Sequence, residues 1–102
     1  MGRSSVLLTA TVTAAGTAVQ LTTESHSVVS LLIYAGRATA VNTGAVCLGD
    51  STVDKATARG VVLTAGSSWD CHIDPNDPWE INTIYVDADT TGDQVQCIYR
   101  LL

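Results

Sequence analysis

The amino-acid sequence predicts an all-β protein, an antiparallel β-sandwich of about eight strands that is jelly-roll-like. Three observations predict this fold class. The chain has 102 residues, which is enough for one hydrophobic core but not for two. Fourteen threonines and twelve valines stand against one lysine and no phenylalanine, and β-branched side chains favour a pleated surface. Short apolar stretches alternate with turn signals and no helical period lies between them, so parallel strands joined by crossover helices are excluded.

Two half-buried strands open the predicted domain. In residues 6–13 apolar side chains alternate with mostly polar ones, and this period of two indicates a strand that is buried on one face. Gly16 provides the turn that follows. Residues 17–22 direct Val19 and Leu21 to the same side, which predicts a second strand with one core-facing side.

Residues 27–35 form a third predicted strand, which is apolar on both faces. Such a pattern is typical of a central strand that is covered on each side, so a second sheet or a partner subunit must provide the cover. We expect the chain to self-associate as a homotrimer, with Val28, Leu32 and Tyr34 in the subunit contact.

Two hairpins are predicted in the second half of the chain. Residues 61–63 and 68–73 are expected to pair, with Trp69, Cys71 and Ile73 facing the core. Residues 81–87 and 94–101 are expected to pair across the turn at residues 89–92. Shorter strands are predicted at residues 38–41 and 45–48, and loops at residues 49–60 and 74–79, the latter because Pro75 and Pro78 cannot donate to a sheet ladder.

The remaining residues complete the domain organisation. We expect an N-terminal arm at residues 1–5 and a β-sandwich domain at residues 6–102. The start of the chain is not expected to be a signal peptide, because Thr9, Thr11 and Thr13 interrupt its apolar stretch.

Charge and cysteine content exclude several classes of partner. The formal net charge is −5, whereas a nucleic-acid binder needs a basic surface to displace counterions from phosphates. The apolar stretches are too short and too interrupted for a membrane span. Cys47, Cys71 and Cys97 are odd in number and widely spaced, so neither a disulfide framework nor a zinc site is indicated. We expect three reduced, buried thiols.

Two short motifs suggest chemistry but are explained better by turns. Gly49-Asp50-Ser51 resembles the nucleophile block of the SGNH hydrolases, but that fold needs alternating helices and strands, and the Asp-x-x-His element that supplies the base is missing. Residues 87–93 resemble the first half of an EF-hand loop, with acids at positions one, three and seven. The twelfth position, where a bidentate glutamate belongs, is Ile98. Asp, Ser, Thr and Gly in both places are ordinary turn residues, so we expect no metal and no cofactor.

Histidine, cysteine and tryptophan offer no stronger catalytic candidate. Cys71 and His72 are neighbours on a predicted strand, and neighbours on a strand point to opposite faces, so they cannot form a nucleophile–base pair. His26 is a lone loop residue. Trp79 lies in the predicted loop, where it either stacks on a sugar or packs over the end of the sandwich. We therefore expect no catalytic residues and no enzymatic activity.

Four segments together resemble a group of small virion proteins of tailed bacteriophages. They are residues 16–21 (GTAVQL), 46–53 (VCLGDSTV), 59–66 (RGVVLTAG) and 84–93 (IYVDADTTGD). The resemblance lies in their order as well as in their residues, because each segment alone is a weak signal. It implies a β-sandwich on the surface of the phage particle, assembled in the host cytoplasm.

The resemblance implies a capsid decoration or cement protein, with the phage major capsid protein as its partner. Such a protein would bridge shell subunits and stabilise the head when packaged DNA pressurises it. The polar N-terminal arm is the expected capsid contact and comprises Met1, Gly2, Arg3, Ser4 and Ser5. The alternative is a head-fibre or tail-appendage module that binds the host surface or a carbohydrate.

Overall fold

A computed structural model of the chain describes residues 5–37, 40–57 and 59–101. Eleven strands lie in these residues, and the one helical element among them is a single 3-10 turn at Ile81–Thr83. The strands are β1 (Ser5–Thr11), β2 (Val19–Gln20), β3 (Ser27–Tyr34), β4 (Gly36–Arg37), β5 (Ala40–Val41), β6 (Val46–Gly49), β7 (Val61–Leu63), β8 (Ser68–His72), β9 (Trp79–Glu80), β10 (Tyr85–Ala88) and β11 (Gln94–Leu101).

The strands form two main antiparallel sheets. Sheet A has the order β1-β11-β3-β8, and the short β9 pairs with the other end of β3 on the same edge as β8. Sheet B has the order β2-β10-β6-β7. Strands β4 and β5 form a separate small ladder. The chain changes sheet at most connections, for example from β1 to β2 and from β7 to β8, and this alternation with these strand orders is that of a jelly roll. The predicted all-β antiparallel sandwich is confirmed. Four of the eleven strands, β2, β4, β5 and β9, are two-residue pieces.

Both predicted hairpins are wrong. Strand β7 pairs with β6 in sheet B, whereas β8 pairs with β3 in sheet A. Likewise β10 pairs with β2 and β6, whereas β11 pairs with β1 and β3. Glycine and aspartate at the two turns reverse the chain direction, but they do not determine which sheet the chain enters next. Each turn here passes from one layer of the sandwich to the other.

The core lies between the sheets and follows the predicted alternation closely. In β11 the side chains of Val95, Cys97 and Tyr99 are buried, while those of Ile98 and Arg100 are exposed. In the first predicted strand Ala10 is buried, and in the second, residues 17–22, Leu21 is buried and Val19 packs against the core. Ile73 is buried, and Trp69 and Cys71 pack half-buried against the core. The core-facing sides of these strands are therefore confirmed.

Strand β3 is central, as predicted, but sheet B covers only one of its faces. Val28, Leu31 and Ile33 are completely buried on the inner side. Val28 therefore cannot contact a partner subunit, which corrects its predicted place in an interface. Leu32 is 40% exposed and Tyr34 is partly exposed on the outer side.

Most of the predicted N-terminal arm lies outside the described residues. This applies to Met1, Gly2, Arg3 and Ser4. Ser5 already belongs to β1, where it pairs with Arg100, so the sheet begins at the last residue assigned to the arm.

In the described part of the chain, no helix has the length and hydropathy needed to cross a membrane.

Candidate functional site

Three apolar side chains lie in one row across the outer face of sheet A. Leu7 of β1 is the register partner of Ile98 in β11, and Ile98 is the partner of Leu32 in β3. Paired residues project from the same face of a sheet, so the three side chains are neighbours. They are 64%, 43% and 40% exposed, respectively. We call Leu7, Ile98 and Leu32 the apolar row.

Polar residues occupy the register positions around the apolar row on three sides. Asp70 of β8 is the register partner of Leu32 and ends the row. The register partners one step along the strands on one side are Ser5, Arg100, Ser30 and His72, and on the other side Thr9, Gln96, Tyr34 and Ser68. An apolar centre with a polar rim is the usual anatomy of a protein–protein contact.

The depression over the apolar row is too small for an ordinary ligand site. Its volume is about 150 Å³, and it is lined by Leu7, Leu32, Tyr34, Gln96, Cys97 and Ile98. Pockets that bury small molecules or cofactors usually measure about 300–1,000 Å³. A flat protein surface fits this shape better than a small molecule does.

The aspartates of the EF-hand-like segment act as anchors for backbone amides. Asp87 is fully buried, and its Oδ1 and Oδ2 accept hydrogen bonds from the amides of Gly16 (2.9 Å) and Lys55 (2.8 Å). Asp93 is also buried and accepts hydrogen bonds from the amides of Thr43 (2.9 Å) and Gly44 (2.8 Å). Each carboxylate thus satisfies two amides of loops that are far away in sequence.

These contacts leave a calcium ion little to bind. All four carboxylate oxygens of Asp87 and Asp93 are used, and Asp89 forms an ion pair with the Lys55 ammonium at 3.3 Å. Within residues 5–37, 40–57 and 59–101, no three His, Cys, Asp or Glu side chains are grouped to hold a metal ion.

The Gly-Asp-Ser segment is a local turn. Oδ1 of Asp50 accepts hydrogen bonds from both the amide and the hydroxyl of Thr52, and these bonds lower the pKa of the Asp50 carboxyl. The Thr52 hydroxyl oxygen also accepts a hydrogen bond from Nε of Arg59 at 2.9 Å. Ser51 is exposed on this turn. The carboxylate therefore caps a turn, which is a common role of aspartate in such segments.

Cysteine and histidine side chains are separated as their strand positions predict. His72 is exposed with a side chain 85% accessible, whereas Cys71 points inward and is half-buried. Cys47 and Cys97 are buried, and none of the three thiols is in a disulfide. Burial raises the pKa of Cys97 to about 12 and is the main cause of a raised pKa at Cys47 and Cys71. Buried thiols of raised pKa are poor nucleophiles.

Two tryptophans form a pair at the edge of sheet A. The ring centroids of Trp69 and Trp79 lie 6.4 Å apart with an interplanar angle of 45°. Trp69 packs against the core, while Trp79 is 40% exposed. The structure therefore gives Trp79 both a packing partner and an open face.

No protein-family model matches the chain, and a search of the curated proteins finds no match.

Sequence reasoning singled out Leu32 of the apolar row, and Tyr34 beside it, but missed Leu7 and Ile98. Leu7 and Ile98 belong to the polar, outward-facing set of alternating residues in their strands, where Leu7 lies between Ser5 and Thr9 and Ile98 between Gln96 and Arg100. An apolar residue in an otherwise polar set, found in two strands, was the sequence signal for an exposed apolar surface. Only the pairing of β1 with β11 and of β11 with β3 joins these positions into one surface.

Proposed function

We propose that this chain is a non-enzymatic structural protein of a tailed-bacteriophage virion, a decoration or cement protein that binds the outer surface of the head. The observation that carries the proposal is the location of the four segments that resemble such proteins. They contain β2, β6, β7 and β10, and these four strands make up sheet B. Segments that are scattered along the sequence thus form one continuous structural unit.

The distinctive residues of these segments hold that unit together. Asp87, from the last segment, ties the loop that contains Gly16 of the first segment to the loop after β6. Gly60, from the third segment, packs against Leu48 and Cys47 of the second, with a positive φ of 134°. The resemblance therefore concerns contacts that build the sandwich, which supports a shared architecture.

The proposed mechanism is stapling of the shell. Each copy bridges neighbouring shell subunits, and many copies on one lattice offset weak individual contacts. The capsid contact is assigned to the arm that precedes β1, with the major capsid protein as partner.

A cosedimentation experiment tests this function. Purified protein is mixed with empty, expanded heads of the phage whose genome encodes it, and the pelleted protein is measured against heads alone. We expect saturable binding that is lost when Met1 to Ser4 are deleted. Ser5 is kept in the deletion variant, because it pairs with Arg100 and the sandwich must stay intact.

Two controls make the result decisive. Thermal unfolding of the deletion variant should match that of the full chain, which shows that only the arm has been lost. Absence of binding by the full chain would contradict the decoration function. Undiminished binding by the deletion variant would remove the arm from the mechanism.

A second candidate is an appendage module that binds a host-surface carbohydrate. The exposed face of Trp79 favours it, because sugars stack on open aromatic rings. Glycan-array binding that is lost in Trp79→Ala but kept in Val62→Ala would support this alternative, since Val62 in sheet B is 42% exposed and matches Trp79 in accessibility. No glycan binding by the unaltered chain would rule it out.

A further inference from the structure

We infer that the outer face of sheet A is a self-association surface, on which a second copy of this chain packs about a two-fold axis that lies between the two faces. The apolar row forms the centre of the contact, and Arg100 and Asp70 form its charged flanks.

The charge of this face suits a second copy of the same chain. The whole chain carries a formal charge of −5, so most of its surface repels another copy. On the outer face of sheet A, the described charged residues are Arg100, Asp70 and, at the far corner, Glu80, whose carboxylate accepts hydrogen bonds from Ser25 and Ser27. The face is therefore nearly neutral, and like-charge repulsion between two copies is small there.

The register of the sheet makes this face complementary to itself. Neighbouring strands lie about 4.8 Å apart, and side chains on one face of a strand repeat about every 6.8 Å. Asp70 is displaced from Arg100 by two strands and one step along the strand, and Tyr34 is displaced from Leu7 by the same two strands and one step. The two displacements are equal, and at these spacings the line that joins their midpoints is perpendicular to them, so one diagonal axis along this line exchanges both pairs of positions.

That axis passes between Ile98 and Leu32 at the centre of the face. It sets Arg100 of one copy over Asp70 of the other, and Leu7 of one copy over Tyr34 of the other. Ile98 then packs near Leu32 of the second copy. The strands of the two copies cross at about 70° in this arrangement, close to the orthogonal class of sheet packing.

The available area fits a weak, reversible dimer. Four strands of 7, 8, 8 and 5 residues, crossed at about 70° with those of the second copy, overlap over about 400 Å² per copy, or about 800 Å² for the pair. This lies just below the limit of about 1,000 Å² for a stable specific interface, in the range of weak, transient contacts, so we expect dissociation in the micromolar range or weaker. A two-fold contact uses the same patch on both copies, and a self-complementary face forms it directly. The inferred assembly is thus a dimer, where the apolar pattern of β3 alone led us to expect a trimer.

Analytical ultracentrifugation tests the surface with a matched pair of variants. Ile98→Glu places a charge at the centre of the proposed contact, and Val62→Glu places the same charge on sheet B at nearly the same exposure, 42% against 43%. We expect the unaltered chain and Val62→Glu to dimerise at about 100 µM and dissociate near 1 µM. Ile98→Glu should weaken dimerisation about tenfold or more while its circular dichroism stays unchanged.

A charge exchange tests the axis itself. Arg100→Asp and Asp70→Arg should each weaken self-association, because each brings like charges together twice in a two-fold dimer. An equimolar mixture of the two variants should associate, because every charged contact between unlike chains is then favourable. Association of the mixture no stronger than that of either variant alone would overturn the proposed axis.

The self-association experiment is independent of head binding. A monomer at 100 µM, a trimer, or equal weakening by Ile98→Glu and Val62→Glu would each overturn the inference without affecting the decoration function. Loss of head binding in Ile98→Glu, together with a monomeric unaltered chain, would also overturn it and assign this face to the shell.

Discussion

The buried carboxylate of Asp87 accepts a hydrogen bond of 2.9 Å from the amide of Gly16, a residue 71 positions earlier in the chain. Its second oxygen accepts the amide of Lys55 at 2.8 Å. The Asp87 side chain of sheet B thus supplies hydrogen-bond acceptors for two loop amides. A buried amide without a partner would lower the stability of the fold. The connection between distant loops depends on both oxygens being acceptors.

Replacing Asp87 by Asn should therefore destabilise the protein strongly. Asn has one acceptor oxygen and an NH₂ donor, so one loop amide loses its partner and faces another donor. We expect the free energy of unfolding to fall by about 3 kcal/mol. Urea denaturation measures it. Asp89→Asn is the control, since this side chain is 48% exposed and makes one surface ion pair, which should contribute less than about 1 kcal/mol. Similar losses in the two variants would contradict the anchoring role of Asp87.

Calcium should not change the stability of the protein. Each oxygen of Asp87 and Asp93 already accepts one amide hydrogen bond, and the described residues place no group of three acidic, histidine or cysteine side chains together that could hold an ion. The thermal midpoint should be the same in millimolar CaCl₂ and in EDTA. An increase in the midpoint with Ca²⁺ that is absent with Mg²⁺ would show that this loop binds calcium after all.

Gly60→Ala should be among the most destabilising single substitutions. Gly60 has a φ of 134°, and an added Cβ would lie 2.8 Å from Sγ of Cys47 and against the carbonyl oxygen of Leu48. Both the backbone conformation and the contact are unfavourable, so we expect a loss of about 3 kcal/mol or more. Gly92→Ala isolates the first effect, because Gly92 also has a positive φ but its Cβ would meet nothing within 4 Å. It should cost only about 1 kcal/mol. Equal costs would show that the clash at Gly60 relaxes.

The three thiols should react in a fixed order. Cys71 is half-buried, whereas Cys47 and Cys97 are buried, and burial raises the pKa of all three. A thiol reagent at pH 8 should modify Cys71 slowly in the native protein, faster as the pH rises, and the other two only after denaturation. Cys71→Ser should remove the native reaction. Rapid modification of Cys97 in the native state would contradict the closed core.

Glu80 should contribute to stability at neutral pH and lose that contribution in acid. Hydrogen bonds from Ser27 and Ser25 lower the pKa of Glu80 in the folded protein. A lowered pKa stabilises the fold above the unfolded-state pKa of about 4.3, and the effect disappears as the pH falls through the folded value. The unaltered chain should thus exceed Glu80→Gln in stability at pH 7, with the difference shrinking below pH 4. Asp77→Asn in the neighbouring loop is the control, and a difference independent of pH would contradict the assignment.

Alternating segments were predictable from the sequence because a strand that packs against the core has one buried and one exposed face. Apolar and polar residues therefore alternate along it. The pattern in β11 identified its buried side chains correctly, as did the pattern in residues 7–13. The Pro75 and Pro78 loop was equally visible, because proline cannot join a ladder. Each of these conclusions needs only neighbouring residues.

Pairing partners were not predictable in the same way. Residues 89–92 look like a hairpin turn, yet β10 and β11 enter different sheets because their apolar faces oppose each other across the core. The same reason removes Val28 from the subunit contact, since one face of β3 is turned inward. The apolar row escaped detection because its members belong to three strands that are distant in sequence.

The position of β11 has a consequence for biosynthesis. This strand lies between β1 and β3 in sheet A. Strand β1 therefore meets its hydrogen-bonding partner, and β3 its partner on the side away from β8, only after residues 94–101 have left the ribosome. Until then no strand connects β1 to β3, and sheet A is incomplete. Contacts of such long sequence separation also slow folding, because the entropy of closing a large loop is lost before the stabilising contacts form. Completion of sheet A therefore waits for β11, and the nascent chain stays exposed to chaperones and proteases until this strand inserts between β1 and β3.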